Sequence, residues 1–187
     1  MTDADNDAAA SFLREWSTGS GTKRQRERML RRASVPTLQS AALHHPDAAV
    51  RHGLLNLLDH YANDASMDTF AAALHDPDPA VRNVALHSIA CESCKEQEMC
   101  AADVVPELIY VLHNDPSPEL RNKTLLQLMW LSDRDDRIVP AVEQSATRDP
   151  DPAIRKAAED LLLGRYVRPK KQYERSQRRH AGTRARH

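Results

Sequence analysis

From residue 35 onward the apolar positions recur at spacings of three and four, the interval of one face of a helix, rather than in strand-like alternation. Leu108, Ile109, Val111 and Leu112 form one such stripe. Val81, Ala85, Leu86 and Ile89 form another, and Leu120, Leu125 and Leu128 a third. The stripes come in pairs separated by His-Pro-Asp-Ala, Asp-Pro-Asp-Pro, Asp-Pro-Ser-Pro and Asp-Pro-Asp-Pro. Each of these turns has the chemistry to stop one helix and start another. The leading proline disfavours helix in the residue before it. Asp47, Asp78, Ser117 or Asp151 then stands where an N-cap side chain accepts backbone N–H groups. Pro79, Pro118 and Pro152 follow at the first helical position, where a missing N–H costs nothing.

The pairs are copies of one unit. Val/Leu/Ile-Arg pairs place Arg51, Arg82, Arg121 and Arg155 five residues after Pro46, Pro77, Pro116 and Pro150. Val35-Pro36, Val105-Pro106 and Val139-Pro140 stand fifteen residues before three of these arginines, and Met67 takes that place in the second unit. Helix–turn–helix repeats are therefore expected over about 35–60, 66–92, 105–131 and 139–163. A fixed period of helix pairs predicts an all-α solenoid in which each pair buries its apolar face on its neighbours. The repeated arginine is expected to pair with turn acids of its own or an adjacent unit. His44, His45, His75 and His113 fall at the ends of first helices, where an imidazolium suits the helix C-terminus.

The Asp/Ser-Pro turns followed by Val/Leu/Ile-Arg resemble HEAT-like repeats, including the short bacterial type named after phycobilisome lyases. The resemblance covers roughly residues 35–163. It implies a right-handed α-solenoid of about four helix pairs and a non-enzymatic binding role, with a protein partner on the concave face lined by the second helices. It implies no lyase activity, since nothing in the sequence suggests a bilin pocket.

Composition agrees with packed helices. Two Phe, two Trp, four Tyr and five Gly leave the apolar content to Ala and Leu. Without an apolar run near 18 residues, no membrane-crossing helix is expected. The acidic start Met1-Thr-Asp-Ala-Asp-Asn-Asp lacks the pattern of a signal peptide, which makes the cytoplasm the expected location. No phosphate loop, nucleophile elbow or His-Glu-x2-His motif occurs, so no enzymatic activity is expected.

Charge divides the chain into three. Residues 22–33 carry six bases and one acid, residues 164–187 nine bases and one acid, and residues 34–163 ten bases against 21 acids. The expected organisation is a weakly ordered stretch 1–21, a repeat domain 22–163 that includes a basic leading helix, and a basic tail 164–187. The tail, with Tyr166 and Tyr173 among its bases, has the composition for phosphate neutralisation and stacking, so nucleic acid is a second class of partner.

One segment does not fit the period. Successive arginines are 31, 39 and 34 residues apart, and the long interval holds all three cysteines. An insert at 91–103 follows the second unit, and insertions in repeat arrays often carry function. Its spacing is Cys91-x2-Cys94-x5-Cys100. Two thiolates on one tight turn reach a tetrahedral ion, which is why Cys-x2-Cys is a common half of a structural zinc site. His87 lies four residues before Cys91, on the same face of the expected helix. Asn56, Leu126 and Asp160 take its place in the other units, so this is not a uniformly apolar position. His87, Cys91, Cys94 and Cys100 make a candidate Cys3His zinc site, with Asp103 and His113 as further donors. Unliganded thiols and a Cys91–Cys94 redox pair are the competing readings, the latter giving a cysteine-based sensor. His87-Ser-Ile-Ala-Cys91-Glu-Ser-Cys94 also resembles a His-x3-Cys-x2-Cys arrangement found after a repeat in a group of small bacterial HEAT-repeat proteins.

Overall fold

The computed structural model describes residues 34–61, 64–90, 103–129, 131–132 and 135–165. The basic leading segment, the cysteines and the tail beyond Arg165 lie outside the described residues. Eight α-helices run through the described chain, with no strand among them. They are α1 (Val35–His44), α2 (Ala48–Tyr61), α3 (Met67–Ala73), α4 (Pro79–Ala90), α5 (Val105–Asn114), α6 (Pro118–Met129), α7 (Ile138–Arg148) and α8 (Pro152–Leu162). A short 3-10 turn, Asp64–Ser66, leads into α3.

The helices form two compact units that divide at Ala90/Cys91. In the first, α1 packs on α2 and α3 on α4, while α1 meets α3 and α2 meets α4. In the second, α5 and α6, α7 and α8, α5 and α7, and α6 and α8 repeat that scheme. Each unit is thus two layers, one of first helices and one of second helices. The architecture is the all-α helical repeat that the period predicts.

The turns set the helix boundaries. Asp78 Oδ1 accepts from Ala80 N and Val81 N at 2.8 and 3.3 Å. Asp47 Oδ1 accepts from Ala49 N at 2.9 Å, Ser117 Oγ from Leu120 N at 3.4 Å and Asp151 Oδ1 from Ala153 N at 2.8 Å. These contacts satisfy donors that the first turn of a helix leaves without a carbonyl partner. At the other end, α8 closes on Gly164 at φ 65°, a left-handed conformation that glycine adopts without a Cβ clash.

Each unit has its own apolar layer. Leu54, Leu55, Leu57 and Leu58 of α2 are fully buried in the first unit, and Leu108 and Leu112 of α5 and Leu125 and Leu128 of α6 in the second, where α5 packs on α6. The helix α3, Met-Asp-Thr-Phe-Ala-Ala-Ala, buries Met67, Thr69, Phe70 and Ala73, with Phe70 fully buried.

Candidate functional site

The repeated arginine has two jobs, carried by different edges of one guanidinium. Its Nη1 reaches back to the turn just before its own helix. Arg51 donates to His45 O and Pro46 O at 2.7 and 3.3 Å, Arg82 to Asp76 O and Pro77 O at 2.9 and 3.2 Å, and Arg121 to Asp115 O at 2.8 Å. Its Nε and Nη2 reach forward to the next turn. Arg51 forks onto Asp76 at 2.6 and 2.7 Å, and Arg121 onto Asp149 at 2.9 and 2.9 Å. Both partners of each pair are buried. The fork is the strong bidentate geometry of an arginine–carboxylate pair. The same carboxylates accept Asp78 N and Asp151 N at 2.8 Å, so each also shapes its own turn.

The electrostatics follow from these contacts. The Asp76 and Asp149 hydrogen bonds hold the Arg51 and Arg121 guanidiniums above their ordinary pKa, against the opposing effect of burial. Burial by itself would raise the Asp149 carboxyl. The Arg121 fork, the Asp151 N–H and nearby positive charge outweigh burial and hold it below the usual aspartate range. Of the two alternatives raised by the sequence, pairing with a turn acid holds for the adjacent turn in Arg51 and Arg121, while the arginine reaches its own turn through backbone carbonyls.

The first turn departs from this pattern. His45 stands where the other turns carry Asp76, Asp115 and Asp149, and its Nδ1 accepts from Asp47 N at 3.0 Å. His45 thus takes the place of the turn carboxylate as acceptor for this backbone N–H. Sequence reasoning missed this role, although the alignment of turns contains the signal. His113 also has a packing role. Its Nε2 lies 3.0 Å from Ala141 O and ties α5 to α7.

Around the insert, the structure places the described members of the proposed metal set as follows. His87 sits in the last turn of α4 and is exposed. Cys91, Cys94 and Cys100 lie outside the described residues. Among the described residues, no three His, Cys, Asp or Glu side chains gather in a group that could hold a metal ion. Asp103, at the insert's end, is committed elsewhere. Its Oδ2 and Oδ1 accept from Arg137 Nη1 and Nη2 at 2.8 and 2.7 Å. Arg137 Nε donates to Asp135 Oδ1 at 2.9 Å. Hydrogen bonds from the Arg137 side chain and backbone bring the Asp135 carboxyl down to about 2. The Asp103–Arg137–Asp135 clamp fixes the start of α5 against the approach to α7. Its partners are 34 residues apart in sequence, which is why the linear pattern did not reveal it.

Residues 35–102 match the family model for HEAT repeats. The chain is thus an all-α helical-repeat protein that is similar to HEAT repeats over residues 35–102, and the second unit carries the same kind of turns and the same arginine fork as the first. The match is to HEAT repeats in general and bears neither on the phycobilisome-lyase type nor on the His-x3-Cys-x2-Cys arrangement. No curated protein and no solved structure shows significant similarity to the chain. HEAT repeats commonly serve as protein-interaction scaffolds. Among the described residues, no helix is long and apolar enough to cross a membrane.

Proposed function

We propose that the chain is a non-enzymatic protein-binding scaffold whose second helices present the recognition surface. The observation that carries this reading is a contrast between constant and varied positions. The turn residues and repeated arginines are spent on holding the repeats together. Outward positions on the same helices are not held constant: His52, Asn83, Asn122 and Lys156 follow the four arginines, three residue types in four units, and none of these is buried. A constant interior with a varied exterior is what a repeat scaffold uses to select a partner.

The test is site-specific photo-crosslinking of the full chain in its native cell, with the reactive side chain placed at Asn122 on α6 or at Glu143 on α7. Both positions are exposed. A discrete protein adduct from position 122 and none from 143 is the expected result. Equal labelling from both positions, or adducts to nucleic acid alone, overturns the proposal. In the second outcome, DNA or RNA binding that disappears on deleting residues 165–187 assigns the partner to the basic tail instead.

A second reading concerns the insert. The exposure of His87, one turn before Cys91, leaves its imidazole at the surface from which the insert departs. It supports a structural zinc ion held by His87, Cys91, Cys94 and Cys100, a donor set of the Cys3His type. Elemental analysis of the untagged, freshly reduced protein should find about one equivalent of zinc, and Cys94→Ser should lose most of it. Less than about a tenth of an equivalent in the unaltered chain excludes the zinc site and leaves the thiol readings.

A further inference from the structure

The forward-reaching edge of the repeated arginine ends, at Arg155, without its carboxylate. Arg155 is held like the others on the turn side, with Nη1 donating to Asp149 O at 2.6 Å and to Pro150 O at 3.3 Å. In Arg51 and Arg121 that anchorage accompanies an Nε–Nη2 fork on the next turn's aspartate. Among the described residues no carboxylate reaches Nε or Nη2 of Arg155. The side chain is only partly exposed, so its orientation is set in advance.

The surface around it narrows the choice of occupant. In α2 and α6 the residues four and seven places after the arginine are Leu55, Leu58, Leu125 and Leu128, all fully buried. These positions share the arginine's helix face. In α8 they are Glu159, which is exposed, and Leu162, 36% exposed, with Leu163 beside it at 55%. A further helix pair stacked here would bury Glu159 in place of a leucine, so another repeat does not fit. A second copy of the chain docking its first turn would offer His45, which has no negative charge to give. The basic tail, nine bases against the single acid Glu174, is a poor match in charge.

Nearby charges are accounted for. Asp149 is spent on Arg121. Glu159 and Asp160 pair with Lys156 at 3.6 and 2.7 Å. A strongly acidic run would be repelled by these two acids, but a single carboxylate flanked by neutral residues would not.

We infer that Arg155 is a docking point for one aspartate or glutamate of a partner protein, presented on a short turn or extended segment, with an adjacent apolar side chain resting on Leu162 and Leu163. This deepens the scaffold reading and rests on it. It adds a binding point at the end of the second unit, separate from position 122.

The probe is a capped hexapeptide copying residues 75–80, His-Asp-Pro-Asp-Pro-Ala, titrated into the full 15N-labelled chain in a buffer without competing carboxylates. The readout is the Nε–Hε resonance of Arg155, assigned by its loss in Arg155→Lys. A saturable shift is expected. The same peptide with Asn for its first Asp should bind at least about fivefold more weakly, because the charge-assisted fork is lost. Arg155→Lys should weaken the parent peptide to a similar degree, since an ammonium cannot make the planar fork. No shift of the Arg155 resonance, an equal shift with the Asn peptide, or an equal shift with sodium chloride overturns the proposal. Because the Asn comparison uses unaltered protein, it stands even if Arg155→Lys disturbs the fold. The second-helix surface is judged separately by the crosslink at position 122, so failure of one does not imply failure of the other.

Discussion

Asp149→Ala is expected to destabilise the second unit by about 3–5 kcal/mol, the usual cost of removing one partner from a buried ion pair. The loss is large because Arg121 stays behind, buried in the unit with its Nε and Nη2 left without acceptors. The turn loses the acceptor of Asp151 N as well. Equilibrium urea unfolding of the full chain, followed by circular dichroism, reads the change. Arg121→Met combined with Asp149→Ala should recover at least about half of the loss, since the stranded charge is then gone. A double variant no more stable than the single one would show that the turn, and not the charge, is what matters. Acid tells the same story. A carboxyl whose folded pKa lies below its unfolded value contributes its full stability above the ordinary aspartate pKa near 3.9. That contribution is lost as pH falls through the lower, folded value. Asp149→Ala should therefore show a shallower loss of stability below about pH 4 than the unaltered chain.

Phe70→Ala should cost the first unit about 3–5 kcal/mol. The side chain is fully buried and is the only aromatic residue of its seven-residue helix, so alanine leaves a large void. Phe70→Leu, which keeps most of the volume, should cost less than about 1.5 kcal/mol. If alanine and leucine behave alike in urea unfolding, the surrounding helices collapse into the space and α3 is not the rigid wedge its packing implies.

The helix pairs were legible because proline and a capping side chain act within a few residues of each other. Asp78, Pro79 and Arg82 describe their own turn without reference to anything distant. The direction of the arginine was only half legible. A guanidinium reaches two turns with different edges, and nothing local says that Nη1 takes carbonyls behind while Nε and Nη2 take the carboxylate ahead. His45 was read as a charged helix end because its own helix suggests that role; comparison with Asp76, Asp115 and Asp149 shows it doing an aspartate's work without the charge. The Arg137 clamp was not legible, since Asp103 and Arg137 are brought together only by packing. Of His87, Cys91, Cys94 and Cys100, His87 alone falls among the described residues, and its exposure agrees with matching positions that are not uniformly apolar, Asn56, Leu126 and Asp160.

The forked arginine also bears on how each unit comes apart. Arg51 and Arg121 belong to the earlier repeat of their unit, while Asp76 and Asp149 belong to the later one. Peeling away the later repeat therefore does more than expose its own apolar face. It also breaks the bidentate fork, so opening a unit loses charge-assisted hydrogen bonds together with the apolar contacts. The two repeats of a unit are coupled through the fork, and opening from either side of the unit loses it. Such coupling turns two weak helix pairs into a single cooperative element, so that each unit opens as a whole or stays closed.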